Sequence, residues 1–497
     1  MAARLPKGID GAPSADPPLD ADLARRLDRR LREEQASQKL PSIVAGLARG
    51  GTLVWWSSAG STGVPGGRRP DQDTQYRIGS ISKTFVAVSV MRLRDEGALD
   101  LADALGAHVP ELAELPVTLA QLLSHTSGLR AETPAPWWER VPGAGFAELV
   151  SCALRPSDLL WRPGRRFHYS NVGYAVLGEL VARRRERPFR DVVEEELLAP
   201  LGMTRTTWRP VAPHAEGLAV HPHADLVHAE PEHDAGAMAP AGQLWSTVGD
   251  LARWSEVLAG ERPEILAPST AAEMAEPIGV ADLPGQPWTS AYGLGLQLVN
   301  KDGRRRVGHR GGMPGHWSVL LVDQSTGDVV VALANSTYRG SRAELADDLL
   351  ALLAAGAPRP AGPFVPGPAA DPSVTALLGT WYWGPVEHRL DLGRGGRLEL
   401  RGVVAGRDCD FAAADDGTYV GQSGYFSGER MQVRRRDDGS PSHLDVASFV
   451  FTRTPYDPAV AIPGGVDPTG WHAPGPGGVT RPPASSRGRR GSSARSR

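Results

Sequence analysis

Ser80 and Lys83 are the first pair of residues whose types and spacing suggest chemistry. They lie in the segment RIGSISKTFVAV (77–88), where Gly79 precedes an apolar run that predicts a buried helix. Residues three apart on a helix share a face, and a helix N-terminus favours a developing oxyanion. Partial burial lowers the pKa of a lysine and makes Lys83 a usable base for a Ser80 nucleophile. On this segment alone, a structural interpretation is better: Ser80 caps the helix, and Lys83 extends along apolar surface so that its ammonium reaches solvent.

Tyr169 and Asn171 stand two residues apart in a second segment, RFHYSNVGYAVLG (166–178). They come just before an apolar run that predicts a helix starting near Val172, so both side chains can point from one loop into one cleft. A tyrosine coupled to a lysine can relay a proton, and an amide side chain can orient a substrate carbonyl or amide.

His309 and Arg310 are predicted to end a strand in a third segment, RRRVGHRGGMPG, and Gly311 and Gly312 follow. Glycines at this position let a substrate backbone pair closely with the strand edge. The N–H of Gly312 can act with that of Ser80 as an oxyanion hole.

In this order, S-x-x-K, Y-x-N and H-x-G resemble the active-site set of the serine β-lactamase and penicillin-binding-protein superfamily. The resemblance to its class C branch, which includes esterases and D-amino-acid peptidases, covers about residues 20–355. It is carried by LLSHTSGL (122–129), YSNVGYAVLGELV (169–181), PLGMTRT (200–206), PAGQLWSTVGDLARW (240–254) and YGLGLQL (292–298). The resemblance implies an α+β, β-lactamase/transpeptidase-like fold, with the nucleophile between an all-helical subdomain and an antiparallel sheet.

The resemblance also implies a role for each residue of the three motifs. Ser80 is the acylated nucleophile, Lys83 its activating base, and Tyr169 protonates the leaving group and later activates the deacylating water or amine. Whether Lys83 or Tyr169 takes the first proton is a coupled-titration question that stays open. The residues expected to contact substrate are Asn171, His309, Arg310, Gly311 and Gly312.

One position departs from the β-lactamase pattern. β-Lactamases and many transpeptidases carry a lysine where this chain has His309, whereas a histidine is typical of the family's esterases and peptidases. A histidine weakens the fixed cation that would hold a β-lactam carboxylate, although Arg310 can partly replace it. We therefore expect β-lactam hydrolysis to be a side activity.

Composition limits the cellular context and the partners. The chain has 497 residues, a hydrophobic fraction of 41%, a charged fraction of 22% and a net charge of −3, which argues against nucleic acid or an anionic membrane as the main partner. Neither a signal peptide nor an apolar run long enough to span a bilayer is predicted, so we expect a cytoplasmic protein. The two cysteines, Cys152 and Cys409, fall in different predicted domains and exclude a thiolate metal site. No cofactor is implied.

Five regions are predicted along the chain. Residues 1–18 are expected to be disordered, 19–354 to form the catalytic domain, and 355–372 (AGAPRPAGPFVPGPAADP) to be a linker. About eight short strands within 373–457 predict a small antiparallel β-barrel. Its opening, LLGTWYWG, resembles the lipocalin-like domains of some of these hydrolases, which either cover the cleft or are structural appendages. Residues 458–497 are expected to be a disordered tail.

Three further signals carry less weight. Trp137 and Trp138 lie in the helical insertion that usually walls the pocket, where an aromatic wall and plain core packing are equally good interpretations. His125, in SHTSG, is expected to be a buried, hydrogen-bonded structural residue. A functional metal is not expected at one irregular, Pro-rich cluster: His221, His223, Asp225, His228, His233 and Asp234.

The residues and the resemblance leave three functions open. The leading one is a hydrolase that acylates Ser80 from an ester, or from a peptide or amide with a D-residue, and transfers the acyl group to water. The second is a penicillin-binding-protein-type thioesterase or cyclase that transfers a nonribosomal peptidyl group, from a thioester on a carrier protein, to an amine. The third is a non-catalytic binding or sensing module, against which the complete Ser80, Lys83, Tyr169 and Asn171 set argues. The sequence leaves the oligomeric state open.

Overall fold

The chain folds into two compact units in the computed structural model. The structure describes residues 19–63, 66–134, 136–337, 342–359, 370–402 and 406–455. The predictions for 1–18 and 458–497, and for most of the linker, lie outside these residues.

The first unit is built on an antiparallel sheet. Its strands are β1 (Ser42–Arg49), β2 (Thr52–Gly60), β3 (Tyr76–Arg77), β4 (Leu218–Val220), β5 (Val227–Ala229), β6 (Trp245–Ser246), β7 (Gly279–Val280), β8 (Ser290–Tyr292), β9 (Gln297–Lys301), β10 (Arg304–Met313), β11 (His316–Asp323) and β12 (Val329–Ala334). Eight of them form the main sheet, in the order β2-β1-β12-β11-β10-β9-β8-β7. Strands from both ends of a long segment therefore share one sheet, which confirms the predicted α+β class.

Two strands differ from the sequence patterns. The apolar run over 292–299 predicts one strand, but the chain turns between β8 and β9, where Gly295 has φ +84°, a conformation that favours glycine. The strand expected to end at Arg310 continues to Met313, because Gly311 and Gly312 pair with Ser318 and Trp317 of β11.

Helices cover both faces of this sheet. They are α1 (Ala21–Ser37), α2 (Ser82–Asp95), α3 (Leu119–Leu123), α4 (Phe146–Ala153), α5 (Asn171–Arg185), α6 (Phe189–Val193), α7 (Val248–Leu258), α8 (Pro268–Met274) and α9 (Arg342–Gly356). On one face, leucines spaced four apart in α1 pack with α9 against β1, β11 and β12, as the amphipathic pattern predicts. On the other face, α2 is buried on most sides within the larger core, which confirms the prediction for the apolar run after Ser80.

The second unit is a closed barrel of eight antiparallel strands. After a short helix, α10 (Pro372–Thr375), come β13 (Gly379–Trp383), β14 (Val386–Leu392), β15 (Leu398–Gly402), β16 (Cys409–Ala413), β17 (Tyr419–Gly421), β18 (Arg430–Arg435), β19 (Pro441–Val446) and β20 (Phe449–Thr452). Their inward side chains, which include Trp381, Phe411 and Phe451, form a separate core. The predicted small barrel is confirmed.

Candidate active site

Ser80 lies in a 3₁₀ turn, Gly79–Ile81, that leads directly into α2. The sequence predicted the first turn of an α-helix there, but α2 begins two residues later. The left-handed φ of +52° at Gly79 bends the chain into this turn, and a Cβ on Gly79 would stand 2.6 Å from the backbone nitrogen of Gly312. Only glycine allows this approach, which brings the Ser80 turn against β10.

Lys83 is fully buried, and its Nζ lies within hydrogen-bond distance of three oxygens. These are Ser80 Oγ at 3.0 Å, Asn171 Oδ1 at 2.6 Å and the Ala241 carbonyl at 2.7 Å. The last two can only accept hydrogen bonds. A neutral amine that donates its two hydrogens to them directs its lone pair at the Ser80 hydroxyl.

Burial also makes the neutral form of Lys83 accessible near neutral pH. Desolvation lowers the pKa of Lys83 to about 7, against an opposing effect of Glu132 and Glu139. A base with a pKa near the ambient pH is well matched to proton transfer.

Tyr169 lies close to both Ser80 and Lys83. Desolvation raises the pKa of this phenol well above its usual value, against an opposing effect of the Ser80 side chain. Lys83 Nζ lies 5.0 Å from the centroid of the Tyr169 ring. Near neutral pH, Tyr169 is therefore a protonated phenol that can donate a proton, whereas Lys83 can already accept one.

His125 supports the Tyr169 ring. The two rings stack at 4.2 Å between centroids, and the His125 Nδ1 accepts a hydrogen bond from the Ser170 backbone at 3.0 Å. The expectation of a buried, hydrogen-bonded structural histidine is confirmed.

Asn171 is the first residue of α5, and protein groups contact both ends of its amide. Its Oδ1 accepts from Lys83, and its Nδ2 donates to Glu132 Oε1 at 2.6 Å. Sequence reasoning missed Glu132, because no spacing or composition marks it out between Leu129 and Trp137.

The strand β10 forms a wall beside the Ser80 turn. His309 is buried, and its Nδ1 lies 2.6 Å from the Arg310 carbonyl, a hydrogen bond that requires a proton on Nδ1. Its Nε2 lies 3.1 Å from the Tyr292 hydroxyl. Tyr292 was also missed, although it opens the quoted segment YGLGLQL. A Cβ on Gly311 would clash with the Ile78 carbonyl at 1.9 Å, so this wall is in tight contact with the chain before Ser80.

The two tryptophans differ in exposure and each donates to a carboxylate. Trp138 is 7% exposed, and its Nε1 lies 2.7 Å from Glu132 Oε2. Trp137 is 56% exposed, and its Nε1 lies 2.7 Å from Glu139 Oε2. That they wall the substrate pocket stays a prediction, but Trp138 is tied to the site through Glu132.

The described parts of the chain contain neither a metal centre nor a membrane span. No group of three or more His, Cys, Asp or Glu side chains is arranged there to hold a metal ion. Among the same residues, every helix is too short or too polar to cross a bilayer.

Comparison with protein families gives two matches, one for each unit. The family model described as Beta-lactamase matches residues 27–355, and that of a domain of unknown function, DUF7586, matches residues 370–453. The likeness of the barrel to lipocalin-like domains stays a prediction.

Three known proteins show the range of the similarity. Beta-lactamase-like protein 2 of Dictyostelium discoideum is 27% identical over 52% of this chain, which spans only about half (49%) of that protein. D-alanyl-D-alanine-carboxypeptidase/endopeptidase AmpH of Escherichia coli K12 is 27% identical over 61% of this chain and 82% of that protein. The structure of a D-stereospecific amidohydrolase from Streptomyces sp. superposes with a TM-score of 0.52 at 26% identity, over 68% of this chain and 99% of that one.

Proposed function

Since the chain belongs to the beta-lactamase family of serine hydrolases, we propose that Ser80 forms an acyl-enzyme with a carbonyl substrate and passes the acyl group to water. The observation that carries this proposal is the Lys83 amine, which is fully buried and lies 3.0 Å from Ser80 Oγ between two obligate acceptors. Such an arrangement activates a hydroxyl that is otherwise a weak nucleophile.

In the acylation step, Ser80 Oγ attacks the substrate carbonyl carbon while its proton moves to the neutral Lys83 amine. The carbonyl π electrons move to oxygen, and the backbone N–H groups of Ser80 and Gly312 stabilise this oxyanion. The contact between Gly79 and Gly312 supports this pairing, because it holds the two backbones together.

The intermediate then collapses and expels the amine or alcohol of the substrate. Tyr169 gives its proton to this leaving group and recovers one from the Lys83 ammonium. For deacylation the direction reverses: water attacks the ester carbon and loses its proton through Tyr169 and Lys83 to Ser80 Oγ, which leaves. The raised pKa of Tyr169 favours Lys83 as the first acceptor.

For the substrate, we propose a peptide or amide whose acyl part ends in a D-residue. The names of two of the similar proteins support this class, one a D-alanyl-D-alanine-carboxypeptidase/endopeptidase and the other a D-stereospecific amidohydrolase. His309 in place of a lysine, held by Arg310 and Tyr292, lowers the expected preference for β-lactams. Simple esters are expected to be accepted as well, because their leaving groups depart easily.

The test uses wild type, Ser80→Ala and the control Ser89→Ala. Ser89 lies on α2, the helix that follows the Ser80 turn, and its hydroxyl donates to the Phe85 carbonyl at 2.9 Å. Each protein is incubated with a p-nitrophenyl acyl ester and with D- and L-amino-acid p-nitroanilides, while product release and intact protein mass are followed.

We expect turnover and an acyl adduct in wild type and in Ser89→Ala, both lost in Ser80→Ala, with D-anilides cleaved faster than L-anilides. Equal turnover in Ser80→Ala would refute the nucleophile. A wild type that cleaves only esters would refute the D-residue substrate. If a peptidyl thioester gives cyclic rather than linear product, the proposed reaction would be transfer to an amine and not hydrolysis.

A further inference from the structure

Glu132 makes two hydrogen bonds that fix the geometry around Lys83. One carboxylate oxygen accepts from Asn171 Nδ2 at 2.6 Å, and the other accepts from the Trp138 indole at 2.7 Å. Asn171 in turn accepts from Lys83 at 2.6 Å. Trp138, Glu132, Asn171 and Lys83 thus form one chain of hydrogen bonds that ends at Ser80.

The donor and acceptor types in this chain allow only one direction. An indole N–H can only donate and a carboxylate can only accept. Asn171 must therefore turn its NH₂ toward Glu132, which leaves its carbonyl oxygen facing Lys83. A flipped amide would place two N–H groups against the N–H groups of Lys83 and would disturb the lone pair aimed at Ser80.

We propose that Glu132 is a positioning residue for the Ser80 nucleophile: it fixes the orientation of the Asn171 amide and, through it, the direction of the Lys83 lone pair. This inference rests on the proposed function, in which Lys83 is the base. It gives Asn171 a part that the sequence did not predict, because its amide orients Lys83.

The substitution Glu132→Gln would reverse the direction of the hydrogen bonds between this residue, Asn171 and Lys83. Because Trp138 can only donate, the glutamine carbonyl must face the indole, and its NH₂ must then face Asn171. Asn171 would have to present its oxygen to the glutamine and its NH₂ to Lys83. Replacing Trp138 by phenylalanine removes the donor that forces this outcome, so the glutamine can turn its oxygen back toward Asn171.

Glu139 provides a matched control for the charge. Both carboxylates raise the pKa of Lys83, but Glu139 accepts from Trp137 and has no hydrogen bond to Asn171. Glu139→Gln therefore removes one negative charge beside Lys83 and leaves the amide orientation unchanged.

The other titratable groups around Lys83 stay neutral near pH 7. The rings of Tyr169 and Tyr174 lie 5.0 and 5.6 Å from Nζ, and burial raises the pKa of both phenols. Burial lowers the pKa of His125 well below its usual value. The two carboxylates therefore supply the charge that the pH profile reports, with Glu132 the larger contributor, and burial raises the pKa of Glu139.

The experiment measures the rate at which a fluorophosphonate labels Ser80 between pH 5.5 and 9.5. The full-length variants are Glu132→Gln, Trp138→Phe, Glu132→Gln with Trp138→Phe, and Glu139→Gln. This probe reports activation of the serine without knowledge of the substrate. Thermal unfolding of each variant separates lost activation from lost folding.

We expect Glu132→Gln to label roughly 100-fold more slowly than wild type at the plateau, the size of effect that a misplaced reacting group produces. The double variant should regain most of that rate, a non-additivity typical of contacting residues. Glu139→Gln should stay within about threefold of wild type. The acid limb of the labelling rate against pH should move to lower pH in Glu132→Gln, in the double variant and in Glu139→Gln. Each of them loses a carboxylate that favours the Lys83 ammonium.

Each contrary result would overturn a different claim. Plateau rates in Glu132→Gln equal to those in Glu139→Gln would overturn the positioning role. A folded double variant as slow as Glu132→Gln would overturn the argument from amide direction. A wild type that does not label at Ser80 would overturn the proposed function and this inference with it.

Discussion

The burial of Lys83 predicts a specific change in the pH dependence of folding when its charge is removed. Lys83→Met keeps a long unbranched side chain and loses the titratable amine. The substitution leaves Asn171 Oδ1 and the Ala241 carbonyl without their donor, a cost that does not change with pH. The slope of stability against pH therefore isolates the titration of Lys83.

The sign and size of the effect follow from the pKa of Lys83, which falls from 10.5 to about 7 on burial. Between these values the unfolded chain binds more protons than the folded one, so the free energy of unfolding rises with pH. One pKa unit corresponds to about 1.4 kcal/mol, which gives about 5 kcal/mol over the whole window. The contribution is absent below pH 7, where Lys83 is protonated in both states.

Other groups restrict the useful range to pH 7.5–9. Buried His125 and His316 have lowered pKa values, so their stabilising effect is lost as the pH falls below 6.5. Cys409 and the buried tyrosines have raised pKa values and lose theirs above about pH 9. Between pH 7.5 and 9, Lys83 alone should add about 2 kcal/mol to the free energy of unfolding of the wild type.

The assay is urea unfolding of wild type and Lys83→Met at several pH values, followed by tryptophan fluorescence. Both proteins share the barrel, so the difference between them reports the first unit. We expect the free energy of unfolding to rise with pH in wild type relative to the variant. Parallel curves over pH 7.5–9 would show that Lys83 titrates near 10.5 in the folded protein, and the argument for a neutral base would fail.

Two further predictions concern the nucleophile. The rate of Ser80 acylation should rise through about pH 7 as a single proton leaves Lys83, and a limb that rises only above pH 9 would contradict this. Gly79→Ala should slow acylation roughly 100-fold, because the new Cβ would stand 2.6 Å from the Gly312 nitrogen and part the two backbones. Gly145→Ala, where a Cβ has open space around it, should acylate at the wild-type rate, and equal losses in both variants would refute the steric argument.

Much of the fold could be predicted from the sequence, because turn residues and short apolar runs determine it locally. The hairpin of β1 and β2 turns at Gly50 and Gly51, both with positive φ. The eight barrel strands follow short apolar runs separated by turn residues. The errors fell where a distant contact decided the backbone: β10 extends because β11 pairs with its glycines, and the Ser80 turn is 3₁₀ because Gly79 must meet β10.

The sequence by itself determined which groups are present and that Ser80 and Lys83 lie together, since residues three apart share a face in a 3₁₀ turn as they do in an α-helix. It did not determine the state of Lys83. Asn171 and Ala241 reach Nζ across 88 and 158 residues of sequence, and Glu132, which contacts Asn171, belongs to no motif. Desolvation and the direction of a hydrogen-bond chain are properties of packed surroundings, so only the tertiary structure decided them.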